Sequence, residues 1–189
     1  MKLKSQLRLI PTLLVFIILC SCGELTKTEQ EKMPYFDLKG FVKMEAEKLD
    51  GSEVILISRV QGIENREEKV LTKSEWLEQF DTFIQSDINK PSFYLSYDTK
   101  VKNNVLTHSL FEDANEKVKE IKITYIDDKV VSATLKSSEE NLFYSTNTFA
   151  ELYMNNLTQK VDHYSIETTQ KIWFIKPSNI KIMGVIKAQ

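Results

Sequence analysis

The chain has 189 residues, 42% hydrophobic, 10% aromatic and 28% charged, a balance that excludes collagenous, low-complexity and disordered chains and supplies enough apolar residues for a core. The formal charge of −2 hides an asymmetry: Lys2, Lys4 and Arg8 stand in an acid-free leader, which leaves the rest of the chain net acidic. There, opposite charges alternate closely, as in Glu64-Asn65-Arg66-Glu67-Glu68-Lys69, so no basic face gathers to displace phosphate counterions and no nucleic-acid partner is expected.

Lys2, Lys4 and Arg8 form a positive n-region, and Leu13 to Cys20 form an unbroken apolar h-region. From Leu9 the apolar stretch is only 12 residues long and includes Pro11 and Thr12, too short for a comfortable span of about 20 residues. Leu19-Cys20-Ser21-Cys22 follows, with an aliphatic residue at −3, a small one at −1 and then a cysteine. This resembles the lipobox of bacterial lipoproteins, although Cys20 at −2 departs from the usual Ala, Ser or Thr. The resemblance implies removal of residues 1–21 and acylation of Cys22, which would anchor the chain to a membrane and leave no cysteine for a disulfide. Gly23 after the cysteine, where Asp would favour the inner membrane, implies the outer membrane of the cell envelope. Whether the domain faces the periplasm or the outside is left open.

Residues 22–34 are polar and unpatterned and read as a tether, leaving 35–189 as a single domain. Leu38, Phe41, Val42, Ala46 and Leu49 recur at helical spacing before Gly51, which predicts an amphipathic helix over 35–50. The β-branched run Glu53 to Ser58 and a second short strand predict a hairpin over 53–71. Thr72 and Glu75 have capping-box spacing ahead of Trp76, Leu77, Phe80, Phe83 and Ile84, a second amphipathic helix that Asn89-Lys90-Pro91 ends.

From Ser92 onward the apolar period falls to two, which predicts an antiparallel meander. Nine strands are expected, at 53–61, 66–71, 92–98, 102–112, 118–126, 129–137, 142–154, 160–175 and 180–187. Thr148 and Glu151 also have capping-box spacing, but strand is favoured over helix at 149–156. Asp127-Asp128, Asn103-Asn104 and Asn155-Asn156 mark turns in a chain with only 5 Gly. The expected fold class is α+β: a largely antiparallel, strongly curved meander with two helices packed on it.

Nine strands about 4.8 Å apart form a sheet roughly 43 Å wide, of which two helices cover only about 20 Å. The apolar positions left over, Ile121, Ile123, Tyr125, Ile166, Ile172 and Phe174, must then be buried by closure toward a barrel or line a concave groove. A groove would suit a hydrophobic ligand or a partner peptide, as in the curved sheets of envelope carriers for lipids and lipoproteins, which are similar in architecture alone.

Phe36-Asp37-Leu38-Lys39-Gly40-Phe41, together with Ser86-Asp87-Ile88-Asn89-Lys90-Pro91, resembles a group of short envelope lipoproteins of unknown function. That group implies no activity, and both motifs also read as helix punctuation.

Catalytic chemistry finds little support in the residues. His108 and His163 are isolated on predicted strands, so no metal site and no cofactor is expected. Asp162-His163 lacks a nucleophile elbow, and neighbours on a strand point to opposite faces. Ser178-Asn179-Ile180-Lys181 matches Ser-x-x-Lys without the partner motifs of penicillin-binding enzymes. Glu112 to Glu116 lacks the glycine of a calcium loop, and the five glycines assemble no phosphate cradle. No catalytic residue is assigned. The sequence points to a lipid-anchored module that binds a hydrophobic ligand or an envelope protein, with an unrecognised hydrolase of an envelope polymer as the alternative.

Overall fold

The computed structural model describes residues 33–187; the expected signal peptide, Cys22 and the tether up to residue 32 lie outside the described residues. Nine strands form one antiparallel sheet: β1 Ser52–Val60, β2 Ile63–Leu71, β3 Tyr97–Lys102, β4 Val105–Leu110, β5 Val118–Ile126, β6 Lys129–Glu140, β7 Tyr144–Met154, β8 Val161–Ile172 and β9 Ser178–Ile186. Their order is β2-β1-β9-β8-β7-β6-β5-β4-β3, and β2 and β3 do not pair, so the sheet stays open. From β3 to β9 the chain is a meander, as the alternation predicted. The pairing of β9 with β1, with Val54 opposite Ile186, joins segments more than a hundred residues apart and carries no local signature.

The turns follow from short polar side chains that tolerate left-handed backbone. Asn103 and Asn104 have φ of 51° and 62°, and Asp127 and Asp128 have 48° and 60°. Both pairs join strands of matching twist through two residues, the task more often given to glycine. The segment at 149–156 is strand as far as Met154.

Among the described residues three α-helices form where two were expected: α1 Leu38–Lys48, α2 Lys73–Gln79 and α3 Asp81–Gln85. The Asp37 carboxylate caps α1 by accepting from the Gly40 N–H at 2.8 Å. A β-carbon on Gly40 would lie 2.1 Å from that carboxylate, so the cap requires glycine there. Thr72 and Glu75 form the expected capping box at α2. The second predicted helix breaks at Phe80, whose φ of −94° and ψ of 7° leave the helical region; the Phe83 N–H then bonds back to the Phe80 carbonyl. Pro91 opens a 3₁₀ turn over Pro91–Phe93, so the third strand begins at Tyr97 rather than at residue 92.

Side chains from all three helices share one apolar cluster with one face of the sheet. On this inner face one register row runs Leu56, Gly184, Tyr164, Leu152, Ala133, Ile123 and Leu106. The next runs Ile182, Ile166, Ala150, Leu135, Ile121 and His108. At the helix–sheet seam the Phe80 ring meets the Tyr164 ring edge-on at 5.2 Å, and the Tyr164 hydroxyl donates to Gln79 Oε1 at 2.7 Å.

The two resembling motifs touch each other. Asn89 Oδ1 accepts from the Tyr35 N–H at 3.1 Å, Asn89 Nδ2 donates to the Tyr35 and Phe36 carbonyls, and Lys39 pairs with Asp87 at 3.7 Å. One carboxamide thus bonds three backbone groups just ahead of α1, of which the Phe36 carbonyl also accepts from the Leu38 N–H.

Candidate interaction surface

The six expected groove positions do not line one surface. Ile121 and Ile123 are fully buried, Ile166 is buried and Tyr125 is half-buried, all four within or against the apolar cluster of the helices and inner face. Ile172 and Phe174 lie at the opposite end of the molecule's long strands and are exposed, Phe174 at 85%. The expectation fails for a local reason. After Ile172 the chain turns, with the Ile175 N–H bonding to the Ile172 carbonyl, so Phe174 sits in a loop rather than on the predicted strand extending to 175. The inner face itself changes character beyond the helices: its outlying rows are Thr168, Thr148 and Ser137, then Gln170, Thr146 and Glu139. That end is polar and needs no lid.

A cleft of about 280 Å³ opens between α3 and this polar end, with Asp81, Asp87, Glu116, Lys90 and Lys117 among its walls. Tyr97 also faces it, but the phenol is held by donation to the Val118 carbonyl at 3.0 Å, and burial, with Glu116 a lesser cause, pushes its pKa well above the ordinary phenol range. Glu45 is a buried acid whose pKa burial raises against the opposing effect of Lys48; its Oε2 has no hydrogen-bond partner. It lies on α1 in the core, outside the walls of this cleft.

Both histidines are engaged locally. His108 Nε2 accepts from the Phe36 N–H at 3.1 Å, which places the ring proton on Nδ1, 2.8 Å from Thr99 Oγ1. Asp162 and His163 do meet, Oδ2 to Nδ1 at 2.7 Å, contrary to the opposite-face expectation. A bulge is the cause: Val161 pairs with Met154 and His163 with Tyr153, leaving Asp162 as the extra residue. His163 stacks on Tyr153 at 4.6 Å on the outer face. Among the described residues, no three His, Cys, Asp or Glu side chains converge in a group that could hold a metal ion.

The most conspicuous surface is the end of the sheet where β6, β7 and β8 outrun their neighbours. β7 and β8 continue four residues past the row of Thr148 and Thr168, about 13 Å at 3.3 Å per residue. Their loops carry Leu142, Phe143, Trp173, Phe174 and Ile175, exposed at 63% or more. The loops are built, not loose. Asn141 Oδ1 accepts from the Phe143 and Tyr144 N–H groups, the Trp173 N–H bonds across to the Phe143 carbonyl at 3.0 Å, and Trp173 and Phe174 stack with ring centroids 4.6 Å apart. The Tyr144 hydroxyl donates to Glu139, which raises the tyrosine pKa. Sequence reasoning named Ile172 and Phe174 and missed Leu142, Phe143, Trp173 and Ile175. The available signal was an apolar run too uniform for a half-buried strand, bracketed by Lys171 and Lys176.

No known family, curated protein or solved structure matches this chain.

Proposed function

We propose that the chain is a lipid-anchored protein of the cell envelope, acylated at Cys22 and held at the outer membrane, whose domain is an interaction module that docks through the apolar hairpin tip. The observation that carries this reading is the ordered display of Leu142, Phe143, Trp173, Phe174 and Ile175 to solvent, since soluble domains rarely leave contiguous apolar surface uncovered without use. The inner apolar rows of the sheet belong to the core shared with the helices, which favours the tip over an internal groove for a hydrophobic ligand as the binding surface. A hydrolytic role gains no support from Glu45, whose burial lies away from the polar cleft.

Two measurements test this. Mass spectrometry of the mature amino terminus should find an acylated Cys22, and Cys22→Ala should release the protein from membranes; an unmodified chain beginning elsewhere refutes the anchor. A photo-crosslinking residue placed at Phe174 in cells should give adducts, whereas one at the exposed Asp128 turn should give none. Equal labelling, or none at Phe174, refutes the docking surface.

A further inference from the structure

The interaction tip just described has a chemistry that selects its occupant. We infer that the tip inserts into the interfacial layer of an anionic phospholipid bilayer, an inference that rests on the tip being the docking surface. Three observations carry it.

The first is the composition of the apex. Trp173 and Phe174 are stacked side by side and flanked by Ile172 and Ile175, with Leu142 and Phe143 on the adjoining loop. A tryptophan whose body is apolar and whose indole N–H stays wet suits the headgroup boundary, and the aliphatic neighbours suit the first few ångströms of acyl chain below it. The second is charge. Lys171 and Lys176 bracket the apolar run, both exposed, and neither forms an ion pair with a described residue, although lysines such as Lys187, Lys136 and Lys73 do. Ammonium groups flanking an inserted loop can reach up to anionic headgroups. Of the acids at the base of the tip, Glu139 lies one row below Lys171 and is engaged by Tyr144 and Lys117, and Glu140 shares the row of Ser145 and Lys171 but stands two strands away from the lysine.

The third observation is position. The described chain starts at the same end of the sheet as the tip: the Tyr35 hydroxyl donates to the Phe93 and Tyr94 carbonyls, and its ring packs on Tyr97, the residue that opens β3 at that end. Ten residues separate Cys22 from Met33, so the eleven steps between them reach at most about 40 Å when extended. With Cys22 acylated as proposed, a bilayer holding it lies within that reach of the start of the described chain, and contact at the tip would make the attachment a two-point one.

The test uses the full chain and its own reporters. The sequence has two tryptophans, and Trp76 is fully buried while Trp173 is exposed, so bromine-labelled acyl chains quench Trp173 alone. The full chain is added to phosphatidylcholine vesicles with and without phosphatidylglycerol. Quenching depends on where Trp173 lies, whatever else holds the chain to the vesicle. The expected result is a blue-shifted, quenched Trp173 emission on anionic vesicles. Phe174→Ser should lower the ratio of inserted to free tip at least about tenfold. Lys171→Gln and Lys176→Gln should each lower it about fivefold on anionic vesicles and little on neutral ones. Vesicle-bound chain with Trp173 neither shifted nor quenched overturns the inference. If Phe174 crosslinks in cells are then exclusively to protein, or the chain dimerises through its tips, the docking surface stands and its occupant is a protein. Absence of both quenching and crosslinks would instead sink the surface itself.

Discussion

Gly184 offers a direct probe of the seam between helices and sheet. It lies on β9 directly opposite Tyr164 on β8, and the Tyr164 ring rests over it. A β-carbon built there would stand 2.2 Å from Cε1, 2.6 Å from Cζ and 2.9 Å from the hydroxyl oxygen of Tyr164. Carbon pairs rest about 3.5 to 4.0 Å apart, so the ring must move by more than about 1 Å. It has nowhere easy to go: Tyr164 is 1% exposed, Phe80 abuts it, and its hydroxyl is fixed by Gln79. Overpacking of this kind costs about 1 to 3 kcal/mol, and a displaced hydroxyl forfeits about 1 kcal/mol more. Replacing glycine by alanine in a strand returns about 0.5 to 1 kcal/mol through the unfolded chain. Gly184→Ala should therefore destabilise by about 1 to 3.5 kcal/mol, read as a lowered urea midpoint with an unchanged slope. In a Tyr164→Leu background the ring is gone and Gly184→Ala should become neutral or slightly stabilising. An equal penalty in both backgrounds would refute the contact, and a penalty below about 0.5 kcal/mol in the wild type would refute the packing of α2 and Phe80 on the sheet.

Trp76 is fully buried, so Trp76→Ala should cost about 3 to 5 kcal/mol by urea denaturation. Its indole N–H has no partner, so Trp76→Phe should cost less than its lost volume alone implies. Burial lowers the His108 pKa below the ordinary 6.5. The unfolded chain then binds the proton more tightly, so this contribution to stability is fully present above pH 6.5 and is lost as pH falls through the depressed folded value. A protonated ring can no longer accept from the Phe36 N–H. The urea midpoint should therefore fall between pH 7 and pH 5 by more in the wild type than in His108→Gln; equal falls would show that the ring titrates without penalty.

What was legible in the sequence was local. A β-branched run found the first hairpin, period-two alternation found the strands from β4 to β9 but placed the third five residues early, short polar pairs found the turns at Asn103-Asn104 and Asp127-Asp128, and Thr72 with Glu75 found a helix cap. These features depend on a residue and its near neighbours. The pairing of β9 with β1 depends on which apolar edge remains open once the meander is built, and no window of sequence holds that information. The break at Phe80 was hidden for a related reason. Trp76, Phe80 and Phe83 fit a single helical face and all three are buried, so the apolar pattern carries no sign of the break.

The groove expectation failed because width arithmetic treated the uncovered face as apolar. Threonine at positions 146, 148 and 168 resolves it: a β-branched residue continues the strand pattern while its hydroxyl tolerates water, and Thr148 and Thr168 bond across the strands at 3.1 Å. Asp162 beside His163 shows the same limit, because alternation presumes an unbroken ladder and a single extra residue reverses the geometry.

How the sheet guards its boundaries separates the tip from incidental exposure. An open sheet presents two edges to which another chain could add, and here both carry charge. β2 places Glu64, Arg66, Glu67, Glu68 and Lys69 along one edge; β3 places Asp98, Lys100 and Lys102 along the other. The same chain leaves Trp173, Phe174 and Ile175 together at the end of its longest strands, on a loop whose backbone is tied across to Phe143. A sequence that places charge along its edges, yet holds an aromatic stack in the open at the end of β8 about 13 Å past the Thr148–Thr168 row, separates the two tasks in space. The edges resist contact, and the tip is shaped for it.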